Sequence, residues 1–327
     1  MSDCPSDRAL RIVIPGGSGQ VGRLLAHHFH AQGHEVSVLS RGPSVEPWRT
    51  VYWDGRTVGL WTEELEGADV CINLTGRSIN CRYTAANRTA IYNSRIQTTE
   101  LLGAVIAGLA APPKVWMNAS SATLYRHSLD QEMDEATGIV GSEEADAPET
   151  WKFTMGVASD WEAAFFRSHT PHTRKIALRT SLVFSPTPGT VFSVLLNLVR
   201  MTLGGTQGNG RQYVSWMHEV DYARAIQFLI EHDELDGGIN MTAPHPLRNR
   251  EFMRALRMAW GNGNEINGLP APALLIELGA LLMRTESELV LKSRCVVPGR
   301  LLDAGFDFEF TDWPEAANDL VRQWRRR

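Results

Sequence analysis

Apolar and polar positions alternate along the first half of the chain in a pattern that predicts strands and helices in turn. Five short apolar runs have the character of strands, at residues 11–15, 35–40, 70–74, 115–120 and 175–184. Most are separated by enough residues for a crossover helix, and the first such segment carries one apolar stripe: Val21, Leu24, Leu25 and Phe29. This alternation predicts an α/β fold with a doubly wound parallel sheet.

The pattern changes near residue 185, where prolines and a glycine interrupt the chain. An apolar helix is then predicted over residues 191–203, ending at a Gly-Gly pair. Asn249 is a suitable N-cap for a helix over residues 250–260, and a last helix is expected to begin near Pro314. The sequence therefore predicts a second region beyond the first sheet.

Composition and charge narrow the possible partners. The 327 residues are 43% hydrophobic, which is enough for a packed core, and the formal net charge is −5. Basic residues are scattered apart from residues 325–327, which argues against a nucleic-acid partner. Residues 1–11 lack the apolar core of a signal peptide, and Glu277 interrupts the apolar stretch 271–283, so no membrane partner is expected.

The cysteines predict neither a metal site nor a disulfide framework. They are Cys4, Cys71, Cys81 and Cys295, which lie far apart and form no C-x-x-C pair. A reducing cytoplasm is the expected location for such a chain.

A glycine-rich loop follows the first predicted strand and precedes the first predicted helix. The loop consists of Gly16, Gly17, Ser18, Gly19, Gln20, Val21 and Gly22. In this context, glycines let the backbone approach a pyrophosphate, and the helix N-terminus faces its charge. We therefore predict a dinucleotide site here, against the alternative of a purely structural turn.

The end of the second strand indicates which dinucleotide is bound. An NAD site usually carries Asp or Glu at this point, whereas this chain has Ser40 and Arg41. Arginine suits the 2′-phosphate of NADP because its donors match phosphate oxygens. NADP is the predicted cofactor, and the alternative is that Arg41 only solvates the strand end.

Further sequence blocks resemble a known family. They lie at residues 16–22, 40–41, 69–76, 94–95, 120–125, 161–162, 203–221 and 296–308. Together they resemble the atypical extended short-chain dehydrogenase/reductases, the NAD(P)-dependent epimerase-like proteins, and in particular a subgroup with human and bacterial members. The resemblance implies a Rossmann-type core with a smaller, discontinuous C-terminal substrate lobe, and a ligand between them at the carboxyl ends of the strands.

This resemblance also implies a division of the chain and a set of cofactor contacts. The NADP-binding domain is expected over residues 1–185, with 214–232 returning to it, and the lobe over 186–327. The residues expected to line the cofactor are Leu74, Thr75, Gly76 and Ser120. Arg95 is expected to meet its phosphates or ribose, unless it is only a surface charge on a helix.

The usual proton-transfer pair of this superfamily is missing. Typical members use a serine, a tyrosine and a lysine four residues after that tyrosine, whose charge lowers the pKa of the phenol. None of the six tyrosines here is followed by lysine at that spacing. Counting back from Glu162 places Thr154 and Ala158 at the two positions, and neither can transfer a proton at neutral pH.

Three residues are candidates for the chemistry. Ser121 matches the serine of the family and could hold a substrate oxygen, or it could satisfy backbone groups at the strand end. Tyr125 could replace the missing acid. His218 could exchange protons with Asp221 fixing its tautomer; alternatively, Asp221 caps a helix beginning near Tyr222 and His218 packs beneath it.

The predicted substrate contacts come from the second region. They are Arg211, Gln212, Trp216 and Asn240. The leading interpretation is an NADP-dependent oxidoreductase or epimerase-like enzyme that exchanges a hydride with a small polar molecule, a sugar derivative being one candidate. The alternative is a catalytically silent NADP(H)-binding protein that regulates a partner, and a homodimer is also considered.

Overall fold

The computed structural model describes residues 8–141, 147–282 and 284–327, so Cys4 lies outside the described residues. The strands are β1 (Arg11–Pro15), β2 (Glu35–Ser40), β3 (Arg49–Tyr52), β4 (Val70–Asn73), β5 (Val115–Ser121), β6 (Arg174–Thr180), β7 (Leu182–Phe184), β8 (Tyr213–Val214), β9 (Trp216–His218), β10 (Gly237–Met241) and β11 (Leu247–Arg248). The helices are α1 (Gln20–Ala31), α2 (Ala85–Gly108), α3 (Glu149–Arg167), α4 (Val191–Arg200), α5 (Glu219–Glu231), α6 (Asn249–Trp260), α7 (Ala273–Leu282), α8 (Glu288–Leu291), α9 (Gly299–Asp303) and α10 (Trp313–Arg325).

Seven parallel strands form the central sheet, in the order β10-β6-β5-β4-β1-β2-β3. The order reverses between β1 and β4, because the chain first adds strands on one side of β1 and then on the other. Ligands of open α/β sheets bind at such a switch point, outside the carboxyl ends of the strands. The predicted Rossmann-type α/β fold is confirmed.

Helices cover both faces of this sheet. On one face, Leu25 and Phe29 of α1 are buried in the same cluster as Ile226 of α5. On the other face, Trp116 of β5 packs edge-on against Phe165 of α3, with ring centroids 4.7 Å apart. Burying apolar groups on both faces explains why the strand sequences are almost continuously apolar.

The second lobe has its own aromatic core. Phe252 of α6 stacks on Trp313 of α10 with ring centroids 4.1 Å apart, and Phe184 and Trp216 complete the cluster. The short strands β7 and β9 pair beneath it, away from the main sheet. Residues 237–241, which the predicted division placed in this lobe, form the edge strand β10 of the central sheet.

Several boundaries differ from the sequence prediction. The run 175–184 is two strands, since the chain leaves the main sheet after Thr180. The helix expected over 191–203 ends at Arg200, because Thr202 adopts a left-handed backbone with φ 60°. The edge strand β3 was not predicted from the pattern.

Two predicted helix caps are wrong. The side chain of Asn249 does not cap α6; its Oδ1 accepts from the backbone N–H of Gln207, 2.9 Å away. Asp221 does not cap α5, since the Nδ1 of His218 accepts from Val220 N at 3.2 Å and takes that place. In both cases a backbone donor distant in sequence engages the side chain that local pattern had assigned to the helix end.

Helix α7 exposes much of its apolar surface. Its exposed leucines are Leu274, Leu275, Leu278 and Leu281. Among the residues that the structure describes, none of the helices is both long and apolar enough to cross a membrane.

Asp221 provides a test of how the C-terminal segment is held. Its two carboxylate oxygens accept from Glu309 N and Phe310 N, each at 2.8 Å. Asp221→Asn turns one oxygen into a donor that faces a backbone N–H, so we expect unfolding free energy to fall by about 2–4 kcal/mol. The measurement is urea denaturation at neutral pH.

The matched control is Glu35→Gln, because Glu35 is 73% exposed and pairs with the half-exposed Arg11 at 3.9 Å. We expect this change to alter the unfolding free energy by less than about 0.5 kcal/mol. Equal losses in the two variants would contradict the structural role of Asp221.

Candidate functional site

The glycine-rich loop lies at the switch point and is too closely packed for side chains. A Cβ on Gly16, whose φ is +77°, would lie 2.8 Å from Thr75 N. A Cβ on Gly22 would lie 2.4 Å from the Cα of Gly17. Such distances are below any normal contact, so α1 can begin this close to β1 and β4 only with glycine at these positions.

The start of α1 is open toward a ligand. Its N-cap is Gly19, which has no side chain to satisfy the first-turn N–H groups. Ser18, Gly19 and Gln20 are exposed, whereas Val21 is half-buried against the sheet. Free N–H groups at the positive end of a helix form a ready site for a phosphate.

The end of β2 carries a cation and no carboxylate. Ser40 is buried, and its Oγ accepts from Gly42 N at 3.4 Å. Arg41 is exposed, and no ion pair of Arg41 is found within the described part of the chain. The nearest carboxylate along the chain, Glu46, pairs with Arg23 at 3.7 Å. Arg41 is therefore available to an anion beside the loop.

A buried amide pair fixes the end of β4 against the loop. Asn73 Nδ2 donates to Asn118 Oδ1 at 2.6 Å, and Asn73 Oδ1 accepts from the Thr75 hydroxyl at 2.6 Å. This orientation holds the backbone of Leu74 and Thr75 against the loop. The next residue, Gly76, is exposed and leads away from the strand end.

Arg95 lies beneath that same strand end and is not a free surface charge. Its Nη1 donates to the carbonyl oxygens of Arg77 and Ile91, at 3.0 and 3.1 Å, and its guanidinium lies 5.1 Å from the Trp161 ring centre. Burial lowers the pKa of Arg95 to about 10, so it remains charged at neutral pH. In this position Arg95 holds the loop that follows β4, and a contact between Arg95 and the cofactor stays a prediction.

The end of β5 carries two serines with different partners. Ser120 donates to Glu162 Oε1 at 2.6 Å, so its hydroxyl is committed to α3. Ser121 is half-buried, and its Oγ accepts from Thr123 N at 3.2 Å. Of the two, Ser121 is the one placed at the carboxyl edge of the sheet with a hydroxyl that can turn toward a ligand.

Tyr125 and Asn240 are joined in the interior. The phenol of Tyr125 donates to Asn240 Oδ1 at 3.0 Å and accepts from Arg179 Nη1 at 2.8 Å. Asn240 Nδ2 donates to Val297 O at 2.9 Å. Tyr125 is only 1% exposed, and burial raises the pKa of its phenol, although Arg179 opposes the shift. These polar atoms are paired within the protein, and the predicted roles of Tyr125 and Asn240 toward a ligand stay predictions.

His218 is enclosed in the second lobe. It is 0% exposed and stacks on Phe310 with ring centroids 4.0 Å apart. The Nε2 of His218 lies 3.3 Å from Asp319 Oδ2. The carboxylate that faces this nitrogen is therefore Asp319, and not Asp221 as the sequence had suggested. Burial lowers the pKa of His218, and we leave it out of the groups that we propose to react.

The structure separates the four predicted substrate contacts. Arg211 is exposed, whereas Gln212 is buried and its Nε2 donates to Gln207 O at 2.9 Å. Trp216 lies in the aromatic core, with its Nε1 donating to His245 O at 3.1 Å. Only Arg211 is open to a solute as the structure stands.

The position of the missing tyrosine, Thr154, faces a polar cluster that sequence reasoning missed. Thr154 donates to Glu288 Oε1 at 2.7 Å, and Ala158 is buried nearby on α3. Arg294 Nη2 lies 3.2 Å from the same oxygen. Lys292 Nζ donates to Thr123 O at 2.7 Å. One signal was available: Lys292 is one of only four lysines in the chain.

These residues fit a dinucleotide with a phosphate on its ribose. The glycine loop would hold the pyrophosphate, and Arg41 would meet the 2′-phosphate where a carboxylate would repel it. The ends of β4 and β5 would then lie alongside the nicotinamide half.

Comparisons with known proteins agree with this arrangement. The chain matches the NAD dependent epimerase/dehydratase family over residues 12–241, and a domain of unknown function (DUF1731) over residues 271–320. It is 31% identical to the epimerase family protein SDR39U1 of Bos taurus over 317 residues, covering 95% of this chain and 100% of that one.

Two solved structures share the fold. Human epimerase family protein SDR39U1 (isoform 2), solved with NADPH, has a TM-score of 0.81 and 27% identity, covering 96% of this chain and 99% of that one. A nucleoside-diphosphate sugar epimerase from Corynebacterium glutamicum has a TM-score of 0.74 and 24% identity, covering 98% of this chain and 61% of that one. The family match spans well over half of the chain. The resemblance predicted from the sequence blocks is therefore confirmed, and this chain belongs to the NAD-dependent epimerase/dehydratase family.

Proposed function

We propose that this protein is an NADP(H)-dependent oxidoreductase or epimerase-like enzyme that acts on a small polar substrate. The observation that carries the proposal is the close-packed glycine loop at the switch point, beside a strand that ends in Arg41 and not in a carboxylate. A protein that used the fold only as a scaffold would not need either feature.

The proposed chemistry divides between the cofactor and the chain. When bound, NADP(H) supplies or accepts the hydride. The cofactor phosphates are held by the first-turn N–H groups of α1 and by the side chain of Arg41. Arg95 holds the loop after β4, on which the cofactor rests. Ser121 donates a hydrogen bond to the substrate oxygen, which stabilises the charge that develops there during hydride transfer.

The substrate class follows from the setting of the site. A ligand at this edge meets serine and threonine hydroxyls, arginines and backbone groups, which suit hydroxyls, carbonyls and anionic groups. Sugar derivatives, including nucleotide sugars, carry these groups, so we propose them as the first substrates to test.

We also propose a cytoplasmic location, since Cys71, Cys81 and Cys295 are unbonded. A homodimer stays a prediction.

The choice between NADP and NAD is tested with Arg41→Ala. Removing a charged donor from the 2′-phosphate should weaken NADPH binding by about tenfold or more, while NADH binding stays within about threefold. Calorimetric titration of each cofactor measures both constants. The control is Arg49→Ala. This change removes an exposed arginine that pairs with Glu64 at the amino ends of β2 and β3, away from Arg41 at the carboxyl end of β2. An unchanged NADPH-to-NADH affinity ratio in Arg41→Ala would end the assignment.

Turnover separates an enzyme from a silent NADP(H)-binding protein. NADPH is mixed with purified protein and a panel of carbonyl compounds that includes keto sugars and nucleotide keto-sugars, and loss of dihydronicotinamide absorbance is followed. We expect steady oxidation with at least one compound, reduced about 100-fold in Ser121→Ala with NADPH affinity preserved.

The control for that variant is Ser168→Ala, since the Ser168 hydroxyl donates to Ala164 O at the C-terminal end of α3. Tight NADPH binding without turnover of any compound would favour the silent regulator. Full activity in Ser121→Ala would remove Ser121 from the site.

Tyr125→Phe decides between a structural and a chemical role for the phenol. The change leaves Asn240 and Arg179 each without one buried partner, so we expect about 1–3 kcal/mol of lost stability by urea denaturation. Turnover by the folded variant should remain within about threefold of the parent, because Ser121 and the cofactor contacts are untouched. Loss of turnover in a stable Tyr125→Phe protein would instead support Tyr125 as the missing acid.

A further inference from the structure

A carboxylate from the C-terminal segment is buried against the Rossmann core. Glu288 is only 1% exposed, although it begins the short helix α8, about 130 residues after Thr154 in the chain. Its Oε1 accepts from the Thr154 hydroxyl at 2.7 Å and from Arg294 Nη2 at 3.2 Å. Burying a carboxylate costs several kcal/mol unless it is paired, so its presence here calls for a reason.

The second oxygen of this carboxylate has no such partner. Within the described residues, Glu288 Oε2 is fully enclosed and accepts no hydrogen bond. The phenol oxygen of Tyr83, which also lies in this region, is likewise buried without a partner in the same part of the chain. Buried polar atoms without partners are rare in folded proteins, and they concentrate where a ligand or a reacting group completes them.

Direct contacts connect this carboxylate to Ser121. Arg294 Nη2 bonds Glu288, and Arg294 Nε donates to the Thr123 hydroxyl at 3.2 Å. Thr123 N in turn donates to Ser121 Oγ. The cluster is therefore linked, through Arg294 and Thr123, to the carboxyl end of β5 and to the hydroxyl that we propose holds the substrate oxygen.

The other side of the cluster is the position where the family's tyrosine would stand. Thr154 has a short side chain, and the carboxylate of Glu288 occupies the space in front of its hydroxyl. A group that can carry a proton is thus present where the chain itself, along α3, supplies none.

We propose that Glu288 is the proton-exchanging group of this site, with Oε2 as the oxygen that gives or takes the proton and with Thr154 and Arg294 positioning the carboxyl through Oε1. The proposal rests on the proposed NADP(H)-dependent function. It assigns a role to a residue outside the motif that normally carries this step.

The step balances in both directions. In reduction, the hydride of NADPH forms a new C–H bond at the carbonyl carbon, and the protonated Glu288 gives its proton to the carbonyl oxygen. The products are an alcohol, NADP+ and a Glu288 carboxylate, which takes up a proton from water between turnovers. In oxidation, the carboxylate accepts the hydroxyl proton as the C–H bond breaks and NADP+ is reduced.

Burial raises the pKa of Glu288, while Arg294, the Thr154 hydroxyl and Lys292 oppose the shift. Glu286 adds to the rise, and Tyr83 faces the same cluster. A raised pKa keeps part of the population protonated closer to neutral pH, as a general acid requires. Reduction should therefore slow as pH rises through this pKa.

The closing experiment measures the ionisation of Glu288 directly and then its effect on turnover. Isotope-edited infrared spectra of the full chain loaded with NADP+ are titrated with pH, and Glu288→Gln identifies the carboxyl band by difference. We expect a midpoint above the ordinary value of about 4.3. In the reduction assay, kcat of Glu288→Gln should be lower than that of the parent by about 100-fold or more. The fall of kcat with rising pH should disappear, and NADPH affinity should be unchanged.

The matched control is Glu64→Gln, a carboxylate whose side chain is 12% exposed and which pairs with Arg49 at 2.9 Å, at the amino ends of the strands. It should keep turnover within about threefold of the parent. If Glu288→Gln does not fold, Thr154→Val replaces it: loss of the hydroxyl that bonds the ionised form should raise the midpoint further and move the pH limb with it.

The outcomes separate the two proposals. An ordinary midpoint for Glu288, or a Glu288→Gln protein as active as Glu64→Gln, overturns the role of Glu288 while leaving NADP(H)-dependent turnover in place. Thr154→Val with an unchanged midpoint and pH limb overturns the positioning by Thr154. Failure of the parent protein to bind NADPH overturns the proposed function, and the role of Glu288 falls with it.

Discussion

One buried ion pair fixes the geometry on which the site depends. Glu162 of α3 accepts two parallel hydrogen bonds from Arg179 of β6. They run from Nε to Oε1 and from Nη2 to Oε2, and each is 3.0 Å long. Ser120 adds a third bond to Glu162, and Arg179 extends to Tyr125 and through it to Asn240. Three strands and a helix are thus held in register by a single charged network. Removing one partner would strand the other charge in the interior, which typically costs about 3–5 kcal/mol, so the network specifies one arrangement of α3 against the sheet.

That arrangement explains how two lobes can build one site. The network ends at Asn240, whose side chain bonds Val297 O, so the edge strand is tied to the segment that returns from the second lobe. The same segment carries Arg294 to Thr123 at the end of β5. The residues that we propose for the cofactor are therefore mostly local to the first βα units, whereas those that we propose for proton exchange are brought in by chain that arrives much later. A discontinuous lobe is the natural consequence, because it must reach back across the sheet.

Sequence patterns predicted the first strand, the loop, the first helix and the second strand well, and the surroundings of later residues poorly, for a physical reason. Gly22 and Arg41 lie within one βαβ unit, where spacing along the chain fixes position in space. Trp216 was expected to bind substrate, yet it fills the aromatic core, since burial depends on packing between distant helices. His218 and Asp221 illustrate the same limit, because each has polar partners that no local pattern reveals. Glu288 could not have been paired with Thr154 from spacing, since 134 residues separate them.

The Tyr/Lys pair of typical family members and the buried carboxyl of Glu288 are two ways to bring the pKa of a proton-transfer group toward neutrality. A phenol with an ordinary pKa near ~10 must have that value lowered before it can exchange protons near neutrality, and a neighbouring lysine charge does so. A carboxyl with an ordinary pKa near ~4.3 must have its value raised, and burial does so without any added charge. Glu288 therefore needs enclosure more than it needs a cation, which is what α8 and the Thr154 contact provide. Threonine is smaller than tyrosine and leaves space on α3, which Glu288 of the C-terminal segment fills. The pKa of this carboxyl is raised toward neutrality, whereas the pKa of a tyrosine would have to be lowered.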